Sequence, residues 1–383
     1  MYFKRGTNIL NYPLLAVLLT LVLYFVLIGW QISKCNNNFS CFITAGSKFI
    51  NAQVAPANLI IQPNSWGYDG QFYYRLALNP LTNKLVEYGI KLDNPPYRHQ
   101  RIILPMLAWL FSTGFFQLIP FLLVFINFLA LGGIALYGGL LAKMFNRHAL
   151  WGMAFSLYPG FIFTLRHDLT EILEIFFIIS CFYYIRKEKW IVATLLLVLA
   201  LLTKETAVLV AVAIFFTNLL PIKSVLKKWN IKHIPWPVSL VPLAVCGIWQ
   251  IVLYLIWGNS SYYGAVRIVS WPFIGLLSSL HFSDPITKLF YWQSTIYLIL
   301  FSFIVIWSFK KTSSKTMEIL SWVLFFLLLS AVPGAWLEQS FLRLAAEFFI
   351  IGQICLLTSS TKLKYIILAM TIFLWLSAFN LPI

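Results

Sequence analysis

The residues best placed to do chemistry in this sequence lie in one stretch. Trp66-Gly67-Tyr68-Asp69-Gly70-Gln71-Phe72-Tyr73-Tyr74-Arg75 sets a carboxylate among five aromatics, inside a polar segment flanked by apolar runs. Such rings pack on apolar surface while their polar tips stay wet. An Asp-Gly step favours a tight turn, because Gly accepts positive φ. The expectation is a turn that holds Asp69 at a membrane surface, facing water, where it acts as a general base. The plainer reading is that Asp69 merely caps the turn at Gly70.

More charge surrounds this base on the predicted outer side. Asp168, Glu171 and Glu174 follow helical spacing, and Asp168 and Glu171 are the candidates for a second acid. Arg98, Arg101, Arg166, His167, Lys204 and Arg343 stand near predicted helix ends and are the candidate phosphate-binding residues. One base among several cations suits an anionic lipid headgroup. A polyprenyl-phosphate sugar carries a good leaving group, so its displacement needs no strong acid. It needs a base for the acceptor hydroxyl and cations that steady the phosphate. Nucleic acid is not the expected partner of these cations. Each group also has a structural reading: Arg98 and Arg101 as interfacial anchors, the three acids as one polar helix face, Lys204-Glu205 as an internal ion pair.

Other chemistries fit less well. No G-x-S-x-G elbow occurs, and the five histidines are scattered without the paired spacing that zinc requires. A divalent cation on Asp69 and the outer acids is compatible with the sequence, and no other cofactor is implied. Gly132, Gly133, Gly138 and Gly139 have helix-packing spacing and no strand before them. The competing function is a transporter or flippase for a lipid-linked or anionic solute, since intramembrane charges also mark substrate paths. The long aromatic-rich loop favours an enzyme over it.

These residues must be positioned by helices in a membrane. The 383 residues are 60% hydrophobic and only 10% charged, against roughly 25% charged in soluble proteins. Residues 1 to 383 read as a single all-α, polytopic membrane domain. Pro13 to Ile32 form a retained first span. Residues 33 to 101 make a long first extracytoplasmic loop, and Ile102 to Ser112, interrupted by Pro105, dips into the interface. Further spans are Gln117–Leu141, Ala149–Leu165, Leu169–Ile185, Trp190–Leu202, Thr206–Leu220, Pro237–Trp257, Leu289–Phe309, Met317–Pro333, Leu342–Leu357 and Tyr365–Phe379, which makes about eleven.

Charge orients the map. Sixteen of the 28 Lys and Arg residues fall on the cytoplasmic side, among them Lys143, Arg147, Arg186, Lys187 and Lys310, with only Glu188 and Glu318 as acids. That is the positive-inside pattern, and it explains the net charge of +16. The expected location is the cell (inner) membrane, with the N-terminus cytoplasmic and the site extracytoplasmic. Cys35 and Cys41 share the outer loop, where they are either a disulfide or two free thiols.

At this point the sequence resembles a family. One N-terminal span, a long outer loop with Tyr68-Asp69-Gly70-Gln71-Phe72-Tyr73-Tyr74, then Pro96-Tyr97-Arg98-His99-Gln100-Arg101-Ile102-Ile103-Leu104-Pro105-Met106-Leu107-Ala108-Trp109-Leu110 look like the GT-C glycosyltransferases. The second stretch is similar to the signature of the GPI mannosyltransferase branch. The resemblance implies a polytopic fold, a polyprenyl-phosphate sugar donor, possession of a first-loop catalytic acid at Asp69, and transfer of a hexose such as mannose to a glycan, lipid or protein hydroxyl. The motifs cover residues 66 to 110. A paired Asp-Asp or Asp-x-Asp is missing at Asp69, so the resemblance leaves metal dependence open.

Overall fold

The uncharged run Pro13–Ser33 folds as a single 21-residue helix, α1, with Pro13 in its first turn, where no N–H is needed. Ala16, Thr20, Tyr24, Leu27 and Gln31 recur at helical spacing and form its buried face. Leu14, Phe25 and Val26, on other faces, are more than half exposed. Apolar exposure on this scale marks a surface made for lipid. The buried face packs on α5 (Ile119–Met144) and α6 (Trp151–Ser156). There the hydroxyls of Thr20 and Ser156 meet at 2.7 Å, and Tyr24 donates to the Ser156 carbonyl at 2.8 Å.

The computed structural model describes residues 12–219, 234–261, 270–275, 285–311, 316–332 and 340–379. It is mostly helical, at 72%. Four helices among the described residues are long and apolar enough to cross a membrane: Pro13–Ser33, Phe116–Met144, Pro237–Trp257 and Lys288–Ser308. Several others are shorter. They include α8 (Glu171–Arg186), α9 (Trp190–Thr203), α10 (Val208–Leu219), α13 (Thr316–Ala331), α15 (Ala346–Thr358) and α16 (Lys364–Phe379), with α11 (Pro237–Trp257) and α12 (Pro285–Ser308) between. Lys4, Arg5, Lys223, Lys227, Lys228, Lys232, Arg267, Asp284, Lys315 and Glu338 belong to the charge map but lie outside the described residues.

Helix α8 has 16 residues, or about 24 Å at the α-helical rise, short of the roughly 30 Å hydrocarbon core. Both its ends are ionic. Arg186 grips Glu318 of α13 at 2.9 and 2.6 Å, while Glu171 and Glu174 occupy the first turn at the opposite end. A short helix tied by ion pairs at each end places its charges where partners replace water.

Two local expectations change. The run Ala149–Leu165 is not one helix: it breaks into α6 and α7 (Gly160–Arg166) at Leu157-Tyr158-Pro159. Pro159 has no N–H to return to Phe155, so the first helix must stop. The break has a use, because Tyr158, fully buried inside it, donates to the Leu342 carbonyl at 2.5 Å. That bond holds the short helix α14 (Ser340–Leu344), which carries Arg343. The second change is at Pro105, which does not interrupt its segment. It sits in the first turn of α4 (Ile103–Ser112), where its missing donor costs nothing.

Candidate active site

The outer loop builds a small scaffold from short pieces. Strand β1 (Ala45–Gly46) pairs in parallel with β2 (Ile61–Gln62), and β3 (Val86–Glu87) pairs antiparallel with β4 (Ile90–Lys91). Between them runs α2 (Gly70–Leu78), every residue of which is buried. Arg75 of α2 has no exposed surface and is held by Glu87 at 2.6 Å. Gln71 locks the helix start to the loop: its Oε1 accepts from Gly46 N–H at 3.1 Å, and its Nε2 donates to the Trp66 carbonyl at 2.8 Å.

The Asp-Gly turn is therefore not what forms. Gly70 is the first residue of α2, and the positive φ belongs to Gly67, at +64°. Gly70 is small for a different reason: a Cβ there would lie 2.2 Å from the His167 carbonyl oxygen. The turn after α7 is thus pressed against the start of α2. Asp69 precedes the helix, but its side chain makes no capping hydrogen bond.

That carboxylate points instead at two guanidinium groups. Arg98, on α3 (Pro95–His99), reaches Asp69 Oδ1 at 3.0 Å, and Arg343 on α14 reaches Oδ2 at 3.1 Å. Each arginine has a second carboxylate as anchor. Arg98 grips Asp93 at 2.8 and 2.6 Å, and Arg343 Nε lies 3.4 Å from Glu171. Aromatic faces back both cations: Phe72 is 4.4 Å from the Arg98 guanidinium and Tyr68 is 5.2 Å from that of Arg343. Burial alone would raise the Asp69 pKa, but Arg98, Arg343 and Arg101 outweigh it and hold the carboxyl well below the usual range. Asp69 is one-fifth exposed, whereas both arginine side chains are under one-tenth.

Charge continues inward from Arg343. Lys204, in the link between α9 and α10, is 1% exposed and lies 2.7 Å from Glu347, 3.5 Å from Glu174 and 3.7 Å from Glu171. Burial alone would lower the Lys204 pKa; the three carboxylates reverse that and keep the ammonium charged. The expected Lys204-Glu205 pair does not form. Glu205 turns the other way and binds Arg101 at 2.8 and 2.5 Å, and Arg101 also donates to the hydroxyls of Tyr73 at 3.0 Å and Tyr97 at 2.6 Å.

The remaining residues stand differently. Asp168 does not share the helical face of Glu171 and Glu174, because α8 begins only at Glu171; it sits in the preceding turn with φ +48°. It is fully buried, neither oxygen has a hydrogen-bond partner, and burial pushes its carboxyl well above the usual range. His167 is stacked on Phe163 and Tyr68, with centroids 4.1 and 4.9 Å away, and donates to the Phe163 carbonyl. Burial pulls its pKa down to about 4, so its ring is neutral at ordinary pH. Arg166 is 4% exposed, with its guanidinium 5.6 Å from the Trp30 ring. Cys35 and Cys41 are free thiols.

Asp69, Arg98, Arg343, Glu171 and Lys204 are thus brought together, and Arg101 stands beside them through its charge on Asp69. Sequence reasoning gave no role to Asp93, Glu347, Tyr73 or Tyr97. Glu347 had a signal, an acid four residues after Arg343 in an otherwise apolar run. Among the described residues, no group of three His, Cys, Asp or Glu side chains has an arrangement that would hold a metal ion. Compared with known proteins, the chain matches no family, no curated protein and no solved structure.

Proposed function

We propose that this chain is a polytopic membrane glycosyltransferase of about eleven spans, oriented with its N-terminus inside. It transfers a hexose from a polyprenyl-phosphate donor to an acceptor hydroxyl on the extracytoplasmic side. The observation that carries the reading is Asp69 itself: a partly exposed carboxylate held between two buried guanidinium groups, each anchored by another acid. Arginines so arranged suit a phosphate, because the planar fork matches its oxygens.

The same clamp sets the order of events. In the free site Asp69 is a weak base, since both arginines favour its charged form. A donor phosphate competes for the guanidinium groups, which stay anchored on Asp93 and Glu171 as they turn to it. Asp69 then regains proton affinity where an acceptor needs it. It takes the hydroxyl proton, the acceptor oxygen forms a bond to the anomeric carbon, and the sugar–phosphate bond breaks. Its electron pair leaves on the phosphate, which Arg98 and Arg343 stabilise. One displacement inverts the anomeric centre.

Asp69→Asn tests this. Asn keeps the shape and takes no proton, so transfer from a polyprenyl-phosphate sugar should fall by about 100-fold or more, with protein level, melting and donor binding retained. Near-normal transfer by the folded variant would end the assignment.

A further inference from the structure

A second cavity lies on the far half of α2, and no candidate site residue lines it. It measures about 630 Å³ and opens between the outer ends of α1 and α5, the loop around Pro56, and the β3–β4 turn. Its walls include the rings of Phe39, Tyr74, Tyr88 and Phe116 and the amides of Asn37 and Gln117. No charged side chain lines it.

Three features point to a ligand. Tyr74 is only 3% exposed, yet its hydroxyl has no hydrogen-bond partner within the chain. The side-chain amides of Asn37 and Gln117 likewise bond to nothing in the protein. Tyr88 is held at φ +52°, uncommon for a residue with a side chain, and its ring lies 6.4 Å from that of Phe116. Aromatic faces with unengaged amides and a buried hydroxyl match a molecule that has both C–H faces and hydroxyls. A prenyl or acyl chain would leave those polar groups without partners. A phosphate would find no cation.

We propose that this cavity binds a neutral saccharide and is the acceptor subsite; calling it the acceptor's rests on the transferase reading above. Helix α2 joins the two places. Asp69 precedes its first residue and Leu78, its last, lines the cavity, so nine residues or about 13 Å of helix separate them. The anionic donor and the neutral acceptor thus have separate ends of one rigid element.

The test uses the purified full chain in lipid nanodiscs, titrated with neutral manno-, gluco- and galacto-configured trisaccharides by saturation-transfer NMR. One of them should bind, and Phe116→Ala should weaken it about tenfold, the scale of one aromatic contact. Tyr74→Phe should weaken it several-fold with the ring retained. Melting should be unchanged in both, since Phe116 is 43% exposed and Tyr74→Phe removes one atom. The proposal is overturned if no trisaccharide binds, if both variants bind as the parent does, or if native mass spectrometry finds a prenyl or acyl lipid that Phe116→Ala releases. Asp69-dependent transfer with acceptor KM unchanged in both variants would sink the cavity alone. Variant-sensitive saccharide binding beside transfer that ignores Asp69→Asn would sink the transferase reading alone.

Discussion

Arg343 offers the sharpest test of the clamp, because it joins the catalytic carboxylate to the buried charges behind it. Arg343→Ala removes a contact of 3.1 Å to Asp69 and one of 3.4 Å to Glu171. A hydrogen bond to a charged group contributes roughly 1.5–3 kcal/mol, so donor kcat/KM should fall by roughly 10- to 150-fold. A second readout separates this from a loose packing defect. Arg343 is among the charges that hold Asp69 low, so its loss should move the acid limb of the kcat/KM profile to higher pH. Arg343→Lys keeps the charge but not the fork, and should recover the acid limb more fully than the rate. The assay is transfer from a defined polyprenyl-phosphate sugar across pH, with detergent melting alongside. A folded Arg343→Ala protein with unchanged kcat/KM and an unmoved acid limb would refute the clamp.

Lys204→Met should destabilise the protein by roughly 3–5 kcal/mol, read as a lower melting temperature, because it leaves Glu171, Glu174 and Glu347 buried without their shared cation; adding Glu347→Gln should restore part of the loss. His167 gives a pH signature. Its folded pKa of about 4 lies below the unfolded value of roughly 6.5, so its contribution is fully present above pH 6.5 and is lost as pH falls towards 4, by up to roughly 1.4 kcal/mol per unit. His167→Phe, which keeps a ring between Phe163 and Tyr68, should flatten the melting curve across that window relative to the parent, leaving whatever slope His99 adds.

Charge and apolar length made much of this legible. Asp69, Arg98, Lys204 and Arg343 stood out because ionisable residues beside apolar runs need partners, and the structure supplies them. What the sequence hid was which partner each one takes. Lys204 and Glu205 are adjacent, yet the chain turns between α9 and α10 and sends their side chains to different clusters. Asp168 and Glu171 share helical spacing, but spacing is silent on where the helix begins. The Gly70 signal was real and its cause was tertiary: the constraint comes from a carbonyl nearly a hundred residues away. Pro159 ended a helix as its chemistry requires, but only the fold shows that the break frees Tyr158 to hold the Arg343 segment.

The pairing of Asp69 with Arg343 spans 274 residues of sequence, and Lys204 waits for Glu347 across 143 more locally counted positions. A chain inserted from its N-terminus therefore makes its outer loop early and its site late. Until the segment Ser340–Leu344 arrives, Asp69 has Arg98 alone and Lys204 lacks its nearest acid. Biogenesis thus has its own safeguard: a nascent protein halted midway displays the loop with half a clamp, and the ability to grip a phosphate from both sides arrives only when the last third of the helices has been laid down.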